Sequence, residues 1–426
     1  MSATAVTTDM NSVNSLELDR ELPGANTEPP SDVPEITEEA VRAWIQHEIG
    51  SPQPTVHGIM VPDIAPSETD EAIAARLITS YNACKKEEAA YPAIGADIWS
   101  AIRKLQANFF TTLESGDPRA LAAYLCNMAR QDATMGITQG DGEYRWITTS
   151  PDYRRFKALL IKDKLVSFAE AVGAIRCECP EQGAWGAHLH VDVNALLHAL
   201  EKHVGISLAP PEIDGGLFKM PAGSGLLHDR DLHSQFAAWS VREIAGPNAA
   251  VCEIGGGVGR AAYWAQRFGL GPYTILDLPH VNVLQGYYLL KSLPMDQVRL
   301  FGEAIENPKV TVWPYFEKHR ITSGTVDLVF NQDSLPEIHR DAALDYIAWI
   351  RQISPRWFYS INQEASASYT QDFWQPAGES DPQQNVVGAL VAEACGFRRV
   401  MRAPYWLRKG YASELYQVLP KSSDRN

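Results

Sequence analysis

Four residues at alternate positions, Glu253, Gly255, Gly257 and Gly259, could together hold a nucleoside-containing cofactor. They follow an apolar run that predicts a strand, and a helical pattern begins near Arg260. Glycine lets the chain turn tightly and lets a ligand approach the backbone, because no Cβ stands in the way. The helix behind such a turn presents unpaired N–H groups and the positive end of its dipole to a carboxylate or phosphate.

A second acid, Asp277, ends the next apolar run, Thr274–Leu276. An acid at the tip of the second strand can accept hydrogen bonds from both ribose hydroxyls of a nucleoside. Dinucleotide sites use the pattern G-x-G-x-x-G, whose last glycine would fall where this chain has Arg260. The pattern E-x-G-x-G-x-G fits every position from Glu253 to Gly259, and it is typical of class I S-adenosylmethionine-dependent methyltransferases. We therefore predict S-adenosyl-L-methionine as the cofactor.

The elements that must position these residues alternate between apolar runs and helical stretches. Strands spaced by helices are typical of crossover units in a mostly parallel sheet that is covered on both faces. We therefore predict an α/β fold with a Rossmann-like, doubly wound, mostly parallel sheet, preceded by a mainly helical N-terminal domain. The predicted strands are Ala249–Ile254, Tyr273–Leu276, Val310–Trp313, Val326–Phe330, Phe358–Ile361 and Glu414–Leu419.

The chain before the sheet divides by composition and periodicity. Its first residues are rich in Ser, Thr, Asn and Pro, which offer little apolar surface to offset the entropy of ordering. Helix starts are predicted at Ser67, Asp117 and Ser150, the last two each followed by proline. The predicted divisions are a disordered leader (1–35), a mainly helical acceptor and dimerisation domain (36–209), a Gly/Pro-rich linker or lid (210–228), the cofactor-binding domain (229–420) and a tail (421–426).

Longer segments of the second half resemble the bacterial family named for sugar O-methyltransferases. The likeness covers residues 225–365 in strand order and motif spacing, and it has no counterpart in the helical half. The Asp-Leu-Pro motif of the matching region also occurs in plant-type phenolic O-methyltransferases. The matching segments are Tyr273–Val281 with Leu284–Leu289, Asp327–Ile338 and Phe358–Glu364.

The resemblance implies roles around the cofactor for the residues of the glycine turn. It implies that Glu253 lies near the amino group of the cofactor or the backbone of the turn. Gly255, Gly257 and Gly259 would make room for the methionine part, and Asp277 would hold the ribose.

Further roles follow from the same resemblance at the ends of the later strands. Leu278 would cover one face of the adenine, and Trp313 with Tyr315 would close the other side. Asn331, at the tip of the fourth strand, would lie beneath the sulfonium, where the acceptor must approach. Aromatic residues usually pack in a core, so packing is the stronger interpretation for Trp313 and Tyr315.

The acceptor hydroxyl needs a general base or a metal, because an alcohol is a poor nucleophile while protonated. Phenolic methyltransferases of the plant type carry a His-Asp pair after the fourth strand, where this chain has Gln332 before Asp333. The candidate bases nearby are Asp333, Glu337 and His339, with His228 in reserve. We expect Asp333, with Glu337 beside it, to take the hydroxyl proton. If a helix starts there, Asp333 and Glu337 share a face, and two close carboxylates raise the pKa of one. The alternative is that both acids only favour the dipole of a helix N-terminus.

A second histidine cluster, His188-x-His190-x-Asp192, would place three metal ligands on one face of a strand. A strand edge that leads into a helix capped by Asp192 is the simpler interpretation of the same residues. We predict no metal site.

Composition limits the partners of this chain. It has 37 basic and 52 acidic residues in 426, a net charge of −15, which argues against nucleic acid and anionic membranes. No window is apolar enough for a membrane span, and no secretory signal is evident. The six scattered cysteines are typical of reduced thiols in a cytoplasmic protein. We expect a small-molecule acceptor, and a homodimer that forms through the helical domain.

These patterns together predict a methyltransferase that acts on a hydroxyl of a small polar molecule, a sugar or a glycosylated natural product. One alternative is methylation of a phenolic hydroxyl or an amine in secondary metabolism. The other is an inactive scaffold or regulator that binds S-adenosylmethionine without turnover.

Overall fold

The computed structural model describes residues 37–39, 54–91, 98–179, 186–364 and 385–420. Those from residue 54 onward belong to one compact unit, which spans residues 53–426. The predicted leader and tail lie outside the described residues. Within the described ranges, no helix combines the length and the apolar character that a membrane crossing requires.

The first part of the compact unit is helical, and the predicted helix starts are confirmed. Ser67 caps the first helix in a capping box with Asp70. The Asp117 carboxylate accepts a hydrogen bond from the Arg119 N–H, and the Ser150 hydroxyl accepts one from the Tyr153 N–H. The helices of this part are α1 (Glu68–Glu88), α2 (Ile98–Leu105), α3 (Ala107–Glu114), α4 (Pro118–Leu125), α5 (Gly140–Thr149), α6 (Pro151–Ala171) and α7 (Val193–Val204).

The suggested strand around the histidine cluster is wrong, because a short 3-10 helix, Ala187–His190, occupies that position. The Glu178 carboxylate accepts hydrogen bonds from the backbone N–H groups of Gly186 and His188, which holds the chain in a turn. Asp192 caps α7, as the simpler interpretation requires. Among the described residues, no group of three or more His, Cys, Asp or Glu side chains could hold a metal ion.

The segment predicted as a linker or lid packs into the core. It contains a two-stranded antiparallel hairpin, β1 (Met220–Ala222) and β2 (Gly225–Leu227), and Leu217 is fully buried. A Cβ on Gly215 would lie 2.1 Å from the Asn127 side chain, so this glycine permits close packing against the helical part. A mobile lid would be more exposed than this segment is. Movement of the segment over the site stays a prediction.

The remaining described chain forms an eight-stranded sheet with helices between its strands. The strand order is β5-β6-β4-β3-β7-β8-β10-β9. The strands from β5 to β8 run parallel, and β10 is antiparallel to both β8 and β9. The elements are α8 (Asp229–Ala245), β3 (Val251–Ile254), α9 (Arg260–Arg267), β4 (Tyr273–Asp277), α10 (Pro279–Ser292), β5 (Val298–Leu300), β6 (Val310–Pro314), β7 (Leu328–Gln332), α11 (Arg340–Ile353), β8 (Trp357–Gln363), α12 (Val387–Ala394), β9 (Phe397–Pro404) and β10 (Tyr411–Val418).

All six predicted strands are present, and the predicted doubly wound sheet is confirmed. The sheet also has β5, which is only three residues long, and β9, an edge strand whose mostly exposed residues include three arginines. Charged residues protect a sheet edge from pairing with another chain. They also interrupt the alternation of apolar and polar residues by which a strand is recognised in a sequence. The central strand β3 is buried along its whole length and has β4 on one side and β7 on the other. This reversal of strand order is where ligands bind in open α/β sheets.

Candidate functional site

A cavity of about 590 Å³ lies at the carboxyl ends of β3, β4 and β7. Its size is within the range of sites that hold cofactors and small molecules. The sheet contributes the glycine turn and the segments that follow β4 and β7. The helical part contributes Tyr91, Trp99, Arg103 and Ile137 to the same wall, among others.

The glycine turn lines the cavity with Gly255 and Gly257, both in the left-handed region at φ 74° and 56°. A Cβ on Gly255 would lie 2.2 Å from the Cβ of Ser334, so the loop after β7 leaves no room for a side chain. Gly259 is the N-cap of α9 and does not line the cavity, because it packs toward Leu289. The sequence therefore identified the turn correctly, and two of its three predicted glycines reach the cavity surface.

Asp277, predicted to hold the ribose, lines the cavity at the end of β4. Its carboxylate accepts hydrogen bonds from the N–H groups of Gly256 at 2.9 Å and Leu278 at 2.7 Å, and from the Gln285 amide at 2.6 Å. Burial raises the pKa of Asp277 to about 7, and these hydrogen bonds oppose the shift. Leu278 lines the cavity beside it.

Glu253 also lines the cavity, although its side chain is almost completely buried. The Tyr273 hydroxyl donates a hydrogen bond to its carboxylate at 3.1 Å. Burial raises the pKa of Glu253 to about 8, and the hydrogen bond from Tyr273 opposes this shift.

Two residues predicted to contact the cofactor do not line the cavity. The Trp313 ring lies against the guanidinium groups of Arg299 and Arg320, at 5.2 and 6.0 Å from the ring centroid. Asn331 is fully buried, where its amide donates to the Ile254 carbonyl at 2.9 Å and accepts from Asn362 at 2.8 Å. Packing explains both residues, and Tyr315 rather than Trp313 reaches the cavity.

Asp333 and Glu337 both line the cavity, but the helix proposed to carry them is wrong. Asp333 has a φ of 70°, which ends β7 in a left-handed turn, and the Glu337 N–H donates to the Ser334 carbonyl at 3.0 Å. The next helix begins only at Arg340. A turn, rather than a helix face, therefore brings the two carboxylates to the cavity.

Two arginines that the sequence analysis missed contact Asp333. The Nη1 atoms of Arg230 and Arg408 lie 3.4 and 3.3 Å from the same Oδ2 atom of Asp333, and both arginines line the cavity. We call Arg230, Arg408 and Asp333 the open cluster. Burial, followed by the negative charge of Asp333, raises the pKa of Glu337 to about 8, while the two arginines and a hydrogen bond from Trp99 oppose the shift.

Neither histidine considered as a base, the candidate His339 or the reserve His228, lines the cavity. His339 caps α11, where its Nδ1 accepts a hydrogen bond from the Asp341 N–H at 3.2 Å. His228 is fully buried and caps α8, with its Nε2 3.0 Å from Asp229, and burial lowers its pKa. His233, one turn into α8, lines the cavity instead, and its Nδ1 has no hydrogen-bond partner among the described residues.

A comparison with models of protein families finds no match, and a comparison with curated proteins finds none either. Among solved structures, the chain is similar to the N-methyltransferase NodS from Bradyrhizobium japonicum WM9, solved with S-adenosyl-L-homocysteine. The identity is 11%, with 45% of this chain and 88% of that chain covered and a TM-score of 0.31. The glycopeptide N-methyltransferase MtfA, solved with sinefungin, is 15% identical, with 43% and 92% covered and a TM-score of 0.31. The strand order, with β10 antiparallel to both of its neighbours, shows a Rossmann-like, doubly wound and mostly parallel sheet.

Proposed function

We propose that this protein is an S-adenosylmethionine-dependent methyltransferase that acts on a hydroxyl of a small polar molecule, a sugar or a glycosylated natural product. The observation that carries the proposal is that one cavity contains both the glycine turn with Asp277 and the acids Asp333 and Glu337. A cofactor site and a proton acceptor in the same enclosure are what methyl transfer to a hydroxyl requires.

The residues present fit S-adenosylmethionine. Gly255 and Gly257 leave the backbone open to a ligand, and a Cβ at Gly255 would collide with Ser334. The Asp277 carboxylate accepts three hydrogen bonds from the protein, and a carboxylate offers about four lone-pair sites, so it retains capacity for a ribose hydroxyl. When bound, the cofactor supplies a methyl group activated by a sulfonium sulfur.

We propose Glu337, rather than the expected Asp333, as the group that takes the hydroxyl proton. The acceptor oxygen forms its bond to the methyl carbon as the carbon–sulfur bond breaks, and the hydroxyl proton passes to the Glu337 carboxylate. Asp333 is less suited to this role, because its carboxylate already pairs with Arg230 and Arg408. The pKa of Glu337, raised to about 8 by burial and then by Asp333, makes it the stronger base.

In this proposal, the helical part forms the side of the cavity that contacts the methyl acceptor. Tyr91, Trp99 and Ile137 line the cavity from that part of the chain. The cytoplasmic location and the homodimer through the helical residues stay predictions.

A phenolic acceptor is the second candidate, because the rings of Trp99, Tyr315 and Tyr346 line the same cavity. Aromatic side chains stack on flat acceptors as well as on sugars. Methylation of phenols but not of sugars would favour this candidate. Cofactor binding without turnover on either class would favour the inactive scaffold.

Binding of S-adenosylhomocysteine tests the cofactor assignment. We expect it to raise the melting temperature of the full chain, since at 100 times its Kd a ligand stabilises the folded state by about 2.7 kcal/mol. Asp277→Ala should remove most of that shift, whereas Asp296→Ala, at an exposed position, should leave it unchanged. A shift with NADH and none with S-adenosylhomocysteine would overturn the assignment.

A further inference from the structure

The open cluster leaves most of its hydrogen-bonding capacity unused. A guanidinium group carries five N–H donors. Among the described residues, the side chains of Arg230 and Arg408 each donate one hydrogen bond, both to Oδ2 of Asp333. The two side chains are 30% and 35% exposed and line the cavity. Eight of their ten N–H donors therefore have no partner in the described protein.

The arginines are nevertheless held in place. The guanidinium of Arg408 lies 4.1 Å from the centroid of the Tyr411 ring, and Asp333 bridges it to Arg230. Arg230 lies in the first turn of α8, whose N-cap, His228, is fully buried. The cluster thus presents two positioned guanidinium groups rather than two flexible surface chains.

The local charge also differs from that of the whole chain. Two guanidinium groups face the single carboxylate of Asp333, and Glu337 beside them is mostly protonated at neutral pH, since burial and then Asp333 raise its pKa to about 8. The chain as a whole has a net charge of −15, which repels anions at long range. An anionic ligand would therefore depend on this local pair of arginines.

We propose that the methyl acceptor carries an oxyanion, a carboxylate or a phosphate, which Arg230 and Arg408 bind while Asp333 aligns them. Planar guanidinium groups bind such oxyanions through paired, charge-assisted hydrogen bonds. The acceptor role rests on the proposed function, but binding of the oxyanion does not require methyl transfer. The substrate class is accordingly a sugar acid or a sugar phosphate rather than a neutral sugar.

Titration calorimetry on the full chain saturated with S-adenosylhomocysteine tests this proposal with three probes: glucose, glucuronate and glucose 6-phosphate. We expect one anionic probe at least to bind about tenfold or more tightly than glucose, the size of one charge-assisted hydrogen bond. Preference for glucuronate assigns a carboxylate, and preference for glucose 6-phosphate assigns a phosphate. Equal affinity for all three probes, or no binding of either anion, overturns the proposal.

Variants assign the preference to the two arginines. Arg230→Gln and Arg408→Gln should each weaken binding of the preferred anion by about 10- to 100-fold and leave glucose unchanged. Arg230→Lys should restore part of the loss because it keeps the charge. Arg145→Gln, whose side chain is 75% exposed on α5, is the matched control. An anion preference that survives both glutamine variants, at unchanged melting temperature, overturns the assignment.

The proposed function can fail separately. If S-adenosylhomocysteine does not bind, the cofactor assignment is wrong, and the same titration without it still tests the arginines.

Discussion

Two arginine–aspartate clusters of this protein use the same residue types in opposite ways. In the first, which we call the closed cluster, Arg260 donates to Asp231 at 3.1 Å and to Asp214 at 2.5 Å. All three side chains are at most 5% exposed. One cation there is enclosed by two carboxylates.

In the open cluster the ratio is reversed, because two cations share one carboxylate. The distances from Arg230 and Arg408 to Asp333 are 3.4 and 3.3 Å, and all three side chains are between 24% and 35% exposed. Both Arg260 and the open cluster line the same cavity. The difference teaches that charge balance and burial, rather than position at the cavity, separate an ion pair that supports the fold from one that is available to a ligand.

The largest expected effect concerns Glu337, whose pKa is shifted by the charges of the open cluster. Glu337→Gln should lower kcat by about two to four powers of ten, the usual contribution of a general base, and leave S-adenosylhomocysteine affinity unchanged. Steady-state rates with the preferred acceptor, together with calorimetry, measure both quantities.

The pH profile provides the control for this variant. In the wild type the rate should rise with pH up to about 8, because Glu337 must lose its proton before it can accept another. The variant should lack this rise. Near-wild-type turnover of Glu337→Gln would show that the base lies elsewhere, and His233 in the cavity wall would be tested next.

The second prediction sets the two clusters directly against each other. Arg260→Met should lower the free energy of unfolding by about 3–5 kcal/mol, because it leaves Asp214 and Asp231 buried without their cation. Arg408→Met should change it by less than about 1 kcal/mol, since this ion pair is partly exposed. Urea denaturation of both variants measures the difference. Equal losses of unfolding free energy in the two variants would contradict the distinction between the clusters.

The smallest expected effect is the pH dependence of stability that arises from the buried acid Glu253. Its pKa is raised by burial from 4.5 to about 8, so the folded state retains a proton that the unfolded chain releases. The stability contributed by this proton is therefore complete below pH 4.5 and is lost as the pH rises through about 8. Between pH 6 and pH 8, Glu253 alone should reduce the free energy of unfolding by about 2 kcal/mol.

Glu253→Gln isolates this contribution. The variant should show a flatter decline of melting temperature between pH 6 and pH 8 than the wild type. Part of the decline should remain in both proteins, because burial also raises the pKa values of Asp277 and Glu337. An identical slope in the variant would contradict the assignment to Glu253.

Much of the fold could be predicted because the signals are local. Helix starts depend on a capping side chain and the residues next to it, as at Ser67 and Ser150. Parallel buried strands depend on contiguous apolar runs, which identified all six predicted strands. The short β5 and the arginine-bearing edge strand β9 lack that signal. The resemblance implied that Trp313 closes one side of the cofactor site, but its ring packs against Arg299 and Arg320, as the stronger packing interpretation expected.

The sequence alone determined the glycine turn, the acid at the end of β4 and the acids after β7, because each lies within a few residues of the strand that positions it. Only the tertiary structure decided which of these side chains share a cavity and which charged side chains are balanced by an opposite charge. The open cluster joins the start of α8, the turn after β7 and the loop before β10, which are far apart along the chain. No local pattern links these three positions, since an ion pair depends on distances that exist only once the sheet and helices have packed.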